Sequence, residues 1–193
     1  MAARRIIQAG DHRLKANNKI IRDFNSPETK KLIKDLISSM YKADLIGIAS
    51  NQIGENHSVF VTHPRSTKAR SLGKTDDLRV YINPEYNYVS PNLSLIYEGC
   101  GSVGDIFGPV MRPVEIEILA HNENGEKFRL RCDGILARVI QHEMDHLNGI
   151  EFLEKVSDYG KIIGKKFYRK NIRKSKLQME NSKVNKIEFA LVK

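Results

Sequence analysis

The sequence predicts an α+β fold, with short strands in mixed or antiparallel sheets packed around one central helix and a basic C-terminal extension. Three observations carry that reading. An amphipathic helix is patterned over Ser26 to Tyr41, two alternating segments flank a turn between Val114 and Cys132, and a second helix opens at Gly134. Apolar residues make up 40% and charged residues 28%, a globular balance that excludes wholesale disorder. A chain of 193 residues can bury one substantial core.

In the first helix Ser26 can cap, Pro27 suits the first helical position, and Glu28 favours the positive end of the dipole. Leu32, Leu36, Ile37, Met40 and Tyr41 then recur at spacings of three and four. Leu45 to Gly54, rich in small residues, reads as a loop. Val59-Phe60-Val61 and Val80-Tyr81-Ile82 read as strands, the latter ending before Asn83-Pro84. The polar stretch from Thr62 to Arg79 has no pattern of its own and is expected to be an insertion. Val114, Ile116 and Ile118 alternate with polar neighbours, Asn124-Gly125 supplies a turn, and Phe128, Leu130 and Cys132 alternate again, which predicts a β-hairpin. The second helix stops at Asn148-Gly149. Beyond it Phe167 and Ile172 sit among basic residues, and alternation of Ile187, Phe189 and Leu191 suggests a final strand.

Charge is unevenly spread. The chain carries 32 Lys+Arg against 23 Asp+Glu, net +9, yet residues 151–193 hold 12 of the basic and only 5 of the acidic groups. A polyanion or acidic surface is therefore a candidate partner for the tail alone, the plain alternative being a solubilising terminus. No apolar run reaches the ~18 residues of a membrane span. Two cysteines exclude a disulfide scaffold and point to a reduced compartment. The first ten residues lack the apolar core of a secretory signal.

The strongest chemical signal is His142-Glu143-Met144-Asp145-His146. Histidines four apart on a helix lie one turn apart, so both imidazoles can reach one metal ion, and Glu143 can act as general base on a water. Such a catalytic centre needs a third protein ligand. One protease class has a histidine where Phe152 stands, and the later carboxylates Glu151, Glu154, Asp158, Glu180 and Glu188 offer no convincing ligand. The candidate lies upstream: Cys100, in Glu98-Gly99-Cys100-Gly101-Ser102, with a glycine on each side to let the backbone approach a ligand. Asp145, on another side of the helix, is read as a supporting or surface residue, and Glu98 with Arg112 as an ion pair behind the cysteine.

These residues resemble the peptide deformylases. The Gly47-Ile48-Ala49-Ser50-Asn51-Gln52 loop, the Glu98-Gly99-Cys100-Gly101-Ser102 motif and the Gln141–Leu147 helix motif appear in the family's order, and the likeness runs from about Ile6 to Val156. The resemblance implies a catalytic domain over residues 1–156, leaving no room for a transit peptide, and a basic extension over 157–193, packed on it or trailing from it. It implies Cys100, His142 and His146 as metal ligands, Glu143 as acid/base, and Gln52 with the Gly101 backbone N–H as oxyanion donors. Ile46, Gly47, Glu98, Ile135, Arg138 and Val139 would bind substrate around a methionine pocket. The implied cofactor is one divalent ion, Fe2+ natively, with Zn2+, Ni2+ or Co2+ as alternatives. The implied reaction releases formate from N-formylmethionyl nascent peptides in the cytoplasm, with ribosome contact through the tail and neither membrane nor DNA as partner. Competing readings are a zinc endopeptidase and a metal-stabilised module that binds RNA through its tail.

Four positions depart from the family pattern: Leu45 for a glycine, Ser50 for an alanine, Gly101 for a leucine and Gly104 for a proline. Gly101 keeps the N–H donor but frees its backbone, so a slower enzyme with an altered peptide groove is expected.

Overall fold

The computed structural model describes residues 3–70, Leu72 and 76–192. Its first helix, α1 (Pro27–Lys42), begins where Ser26 Oγ accepts the Thr29 N–H. The second, α2 (Gly134–Leu147), follows Asp133 and ends at Asn148. Between them run β1 (Gly47–Ala49), β2 (Val59–Thr62), β3 (Arg79–Val89), β4 (Leu93–Cys100), β5 (Val103–Pro113), β6 (Glu115–His121) and β7 (Lys127–Asp133). The chain continues through β8 (Ile163–Gly164), the short helical turn α3 (Lys165–Phe167), α4 (Lys176–Ser182) and β9 (Ile187–Leu191).

A six-stranded antiparallel sheet has the order β1-β2-β3-β6-β7-β9, and a three-stranded sheet has the order β4-β5-β8. Strand alternation builds the core on both faces of the larger sheet. Ile48, Val59, Val61, Val80 and Ile82 meet Leu32, Ile33, Leu36 and Met40 of α1. Their alternate neighbours Ala49, Phe60 and Tyr81, with Ile116, Ile118, Phe128 and Leu130, meet Ile135, Leu136, Val139, Ile140 and Met144 of α2. Each such fully buried aliphatic side chain contributes about 1.5–3 kcal/mol. Helix α2 is thereby fixed along the apolar stripe that leaves His142, Glu143 and His146 on its adjoining side. The hairpin joins β6 to β7 with Ile118 opposite Leu130 and Ile116 opposite Cys132, and the Cys132 thiol is buried in the core.

Several expectations are corrected. The stretch read as a loop from Leu45 to Gly54 contains β1 and a 3-10 turn over Ser50–Ile53. Strand β3 does not stop at Asn83-Pro84 but continues to Val89 past a register shift, with Asn83 at a φ of 50°. The side-chain amide of Asn83 both accepts from and donates to the Ile21 backbone, which fixes that kink. Strands β4 and β5 lacked a readable pattern. Gly104, Gly108, Pro109 and Pro113 punctuate β5, and such residues ordinarily mark turns or bulges.

The C-terminal residues form secondary structure. Strand β9 extends the large sheet beside β7, β8 pairs with Ile106 and Phe107 of β5, and the Tyr168 ring stacks on Phe107 with centroids 3.9 Å apart. Gln178 accepts the Tyr97 N–H at 2.9 Å and donates to the Tyr97 carbonyl at 3.2 Å, as a strand partner would. Among the described residues no helix is long and apolar enough to cross a membrane.

Candidate active site

The two sheets bring β4 to α2 at a cavity of about 420 Å3, within the range of small-ligand pockets. Cys100 ends β4, and His142 and His146 lie one turn apart on α2. One donor atom from each falls within 4.8 Å of the others, with Cys100 Sγ 3.1 Å from His146 Nε2. A thiol and two imidazoles converging on one point fit a single divalent ion of borderline softness.

The surrounding charges prepare those donors. Glu98 is fully buried and meets Arg112 Nε at 2.7 Å, Arg138 Nη1 at 3.1 Å and His142 Nδ1 at 3.0 Å. Burial alone would raise its pKa, but the Arg112 charge and the His142 and Arg112 hydrogen bonds hold it well below the usual carboxylate range. An ionised Glu98 makes Nδ1 of His142 a donor and leaves its Nε2 lone pair for an ion. Arg112 also reaches Asp145 at 2.6 Å, so Asp145 braces this network. Burial, then the neighbouring His142, pushes the His146 imidazole well below its usual range and keeps it neutral. The Asn51 side chain donates to the His146 carbonyl at 2.6 Å and to the Leu14 carbonyl at 3.0 Å, tying the helix end to the N-terminal segment. Burial pushes the Cys100 thiol up to about 12.

Glu143 is buried beside β1, and burial raises its carboxyl well above the usual range. Its Oε2 has no hydrogen-bond partner among the described residues. Gly47 permits this approach, since a Cβ there would lie 2.6 Å from Glu143 Oε1 and 2.5 Å from Val139 Cγ2. Gln52 is oriented by its own turn. Its Oε1 accepts the Ala49 N–H at 2.9 Å, which turns Nε2 toward Cys100 Sγ at 3.5 Å and Ser102 Oγ at 3.3 Å.

Ile46, Gly47, Gln52, Glu98, Cys100, Gly101, Ile135, Arg138, Val139, His142 and Glu143 all line the cavity, whereas His146 is buried and meets it only through Cys100. Ile46, Ile135 and Val139 give an apolar wall. Glu98 and Arg138 line it too, but their polar groups are engaged with each other, with Arg112 and His142, and with the Val110 carbonyl and Ser94. Sequence reasoning missed Asn51 and the part of Thr62–Arg79 beside the cavity. Thr67, Lys68, Ala69 and Arg70 line it, so this stretch is not merely an insertion. Ser71 and residues 73–75 lie outside the described residues. No local pattern marked Thr67, Lys68, Ala69 and Arg70, because only the fold brings them to the cavity.

The Gly101 turn is not left free, as the glycine alone suggested, but is held from outside, which removes that ground for expecting a slower enzyme. Gln8 Nε2 donates to the Gly101 carbonyl at 3.1 Å, and the Ala9 N–H donates to the Ser102 carbonyl at 2.8 Å. A Cβ on Gly101 would lie 2.8 Å from Leu45 Cδ1 and 3.3 Å from Ile6 Cδ1. The leucine at 45 and the glycine at 101 thus divide one space between them. Gly101→Leu is expected to lower kcat/KM about five- to tenfold by overpacking, and adding Leu45→Gly to restore most of it. An unchanged rate and KM in Gly101→Leu, with a formyl-Met tripeptide, would remove the argument.

A buried carboxylate beside a Cys/His/His donor set is an arrangement that suits a metal-dependent hydrolase. The profile described as Polypeptide deformylase matches residues 3–161. Peptide deformylase 1 of Ralstonia nicotianae is 39% identical over 157 residues, 81% of this chain and 88% of that protein. The Thermotoga maritima peptide deformylase structure aligns with a TM-score of 0.73 at 32% identity, covering 82% of this chain and all of that one. A Met-Ala-Ser-bound peptide deformylase from Acinetobacter baumannii gives 0.77 at 28% identity, covering 80% and 99%. The chain belongs to the peptide deformylase family, enzymes that remove the formyl group from nascent polypeptides.

Proposed function

We propose that Cys100, His142 and His146 hold one divalent ion and that Glu143 carries the proton in hydrolysis of the formyl amide of N-formylmethionyl peptides. The observation that carries this is the unpartnered Oε2 of buried Glu143 beside the convergent donors. When bound, the ion would supply Lewis acidity, lowering the pKa of a coordinated water toward ~7.

The residues do the rest. Glu143 accepts a proton from the attacking water at Oε2 and returns it to the amine that leaves with the peptide. Gln52 Nε2 and the Gly101 N–H face the developing charge on the formyl oxygen, with Gln52 preset by its bond to the Ala49 N–H. Ile46, Ile135 and Val139 enclose the methionine side chain and exclude water. Glu98 and Arg138 act as positioning residues, Glu98 through His142. Fe2+ is the proposed native ion, with Zn2+, Ni2+ or Co2+ as substitutes the same donor set accepts. The proposed setting is the cytoplasm, and outward cations of the C-terminal segment such as Lys170 and Lys174 are the candidates for ribosome contact. Formate release from formyl-Met-Ala-Ser, without cleavage of internally formyl-free peptides, is the expected result. Internal cleavage would favour an endopeptidase.

A further inference from the structure

The mouth of the cavity is strongly cationic. Lys42, Lys68, Arg70, Lys165 and Arg169 line it. The two carboxylates beside them are already engaged: Asp44 accepts the Lys68 N–H at 2.7 Å and lies 3.7 Å from Arg65, and Asp105 pairs with Lys165 at 2.7 Å. Lys42, Lys68, Arg70 and Arg169 make no ion pair among the described residues, and the buried Nε of Arg169 has no acceptor there.

This rim is built into the fold. Lys165 and Arg169 lie beyond residue 161, where the family match ends, yet β8 and the Phe107–Tyr168 stack fasten their segment to β5. Arg173 Nη1 donates to the Lys68 carbonyl at 3.0 Å and joins that segment to the 67–70 stretch across the mouth. These cations line the same cavity as Cys100, Ile46 and Val139, so a peptide with its formyl group near Cys100 and its methionine against Ile46 and Val139 would have them beside its following residues. Charge facing one way along such a segment favours an oppositely charged ligand.

We propose that the rim reads the residues after formylmethionine and selects peptides with aspartate or glutamate at the second to fourth positions. The proposal rests on the deformylase reading of the cavity.

The test compares C-terminally amidated formyl-Met-Asp-Glu, formyl-Met-Ala-Ser and formyl-Met-Lys-Arg with the metal-loaded full chain. The acidic peptide is expected to exceed the basic one about tenfold in kcat/KM at low ionic strength, mostly through KM, with the ratio shrinking in salt. Calorimetric affinities for the deformylated peptides should follow the same order. Arg70→Glu/Arg169→Glu should abolish or invert the preference, and Arg169→Gln should weaken it. Lys30→Glu/Lys34→Glu, an equal charge change on exposed residues of α1 that do not line the cavity, should preserve it. A ratio near one with the neutral peptide still turned over would overturn this proposal alone. No turnover of any formyl peptide would overturn the deformylase reading with it.

Discussion

Glu143→Gln is expected to lower kcat about a thousandfold while leaving the metal content of the protein unchanged. The amide is nearly the size of the carboxylate, so it fits beside Gly47 and Val139, where the space is already tight. It can neither take a proton from water nor return one to the departing amine. The three donor side chains lie elsewhere, on Cys100, His142 and His146, so ion binding should persist. Elemental analysis alongside turnover separates the two effects. Substantial residual activity in metal-loaded Glu143→Gln would refute the assignment of the proton carrier.

Glu98→Ala is expected to damage both stability and metal binding. The native carboxylate is fully buried between Arg112 and Arg138, themselves buried. Removing it leaves cationic groups partly uncompensated, which costs about 3–5 kcal/mol. In a chain of this length that lowers Tm by roughly 10 °C. His142 Nδ1 also loses its acceptor, so its ring is no longer held for coordination, and affinity for the ion should fall about 10- to 100-fold. Asp145 still pairs with Arg112 and softens the loss on that side. A thermal melt and a metal titration of Glu98→Ala check both parts. An unchanged Tm and unchanged affinity would show that the network is dispensable.

How much of this was legible in the sequence depended on whether a feature was local. Helix α1 carries its cap, its proline and its apolar spacing within one segment, and the β6–β7 hairpin carries its turn between two alternating runs. The His142–His146 spacing is likewise a property of one helix. Cys100 needed a different argument, by exclusion of later ligands, because it reaches the histidines only through the packing of β4 on α2. Strands β4 and β5 escaped because Gly104, Gly108, Pro109 and Pro113 break the alternation that marks a strand. The complementarity of Leu45 and Gly101 had no local signal, since 56 positions separate them and only the folded chain brings them into contact. Of the cationic rim, only Lys165 and Arg169 belong to the excess of charge in residues 151–193, while Lys42, Lys68 and Arg70 lie far upstream and carried no signal. The rim's function as a cavity wall depends on β8, on the Tyr168 stack and on the Arg173 contact with Lys68.

The most direct test of the central claim is anaerobic formate release from formyl-Met-Ala-Ser, measured with metal analysis on the same samples of the native chain and of Cys100→Ala. The native chain should hold one divalent ion per chain and release formate, and Cys100→Ala should lose both the ion and the activity. A Cys100→Ala protein that keeps its ion and its turnover would contradict the Cys/His/His centre on which the account rests.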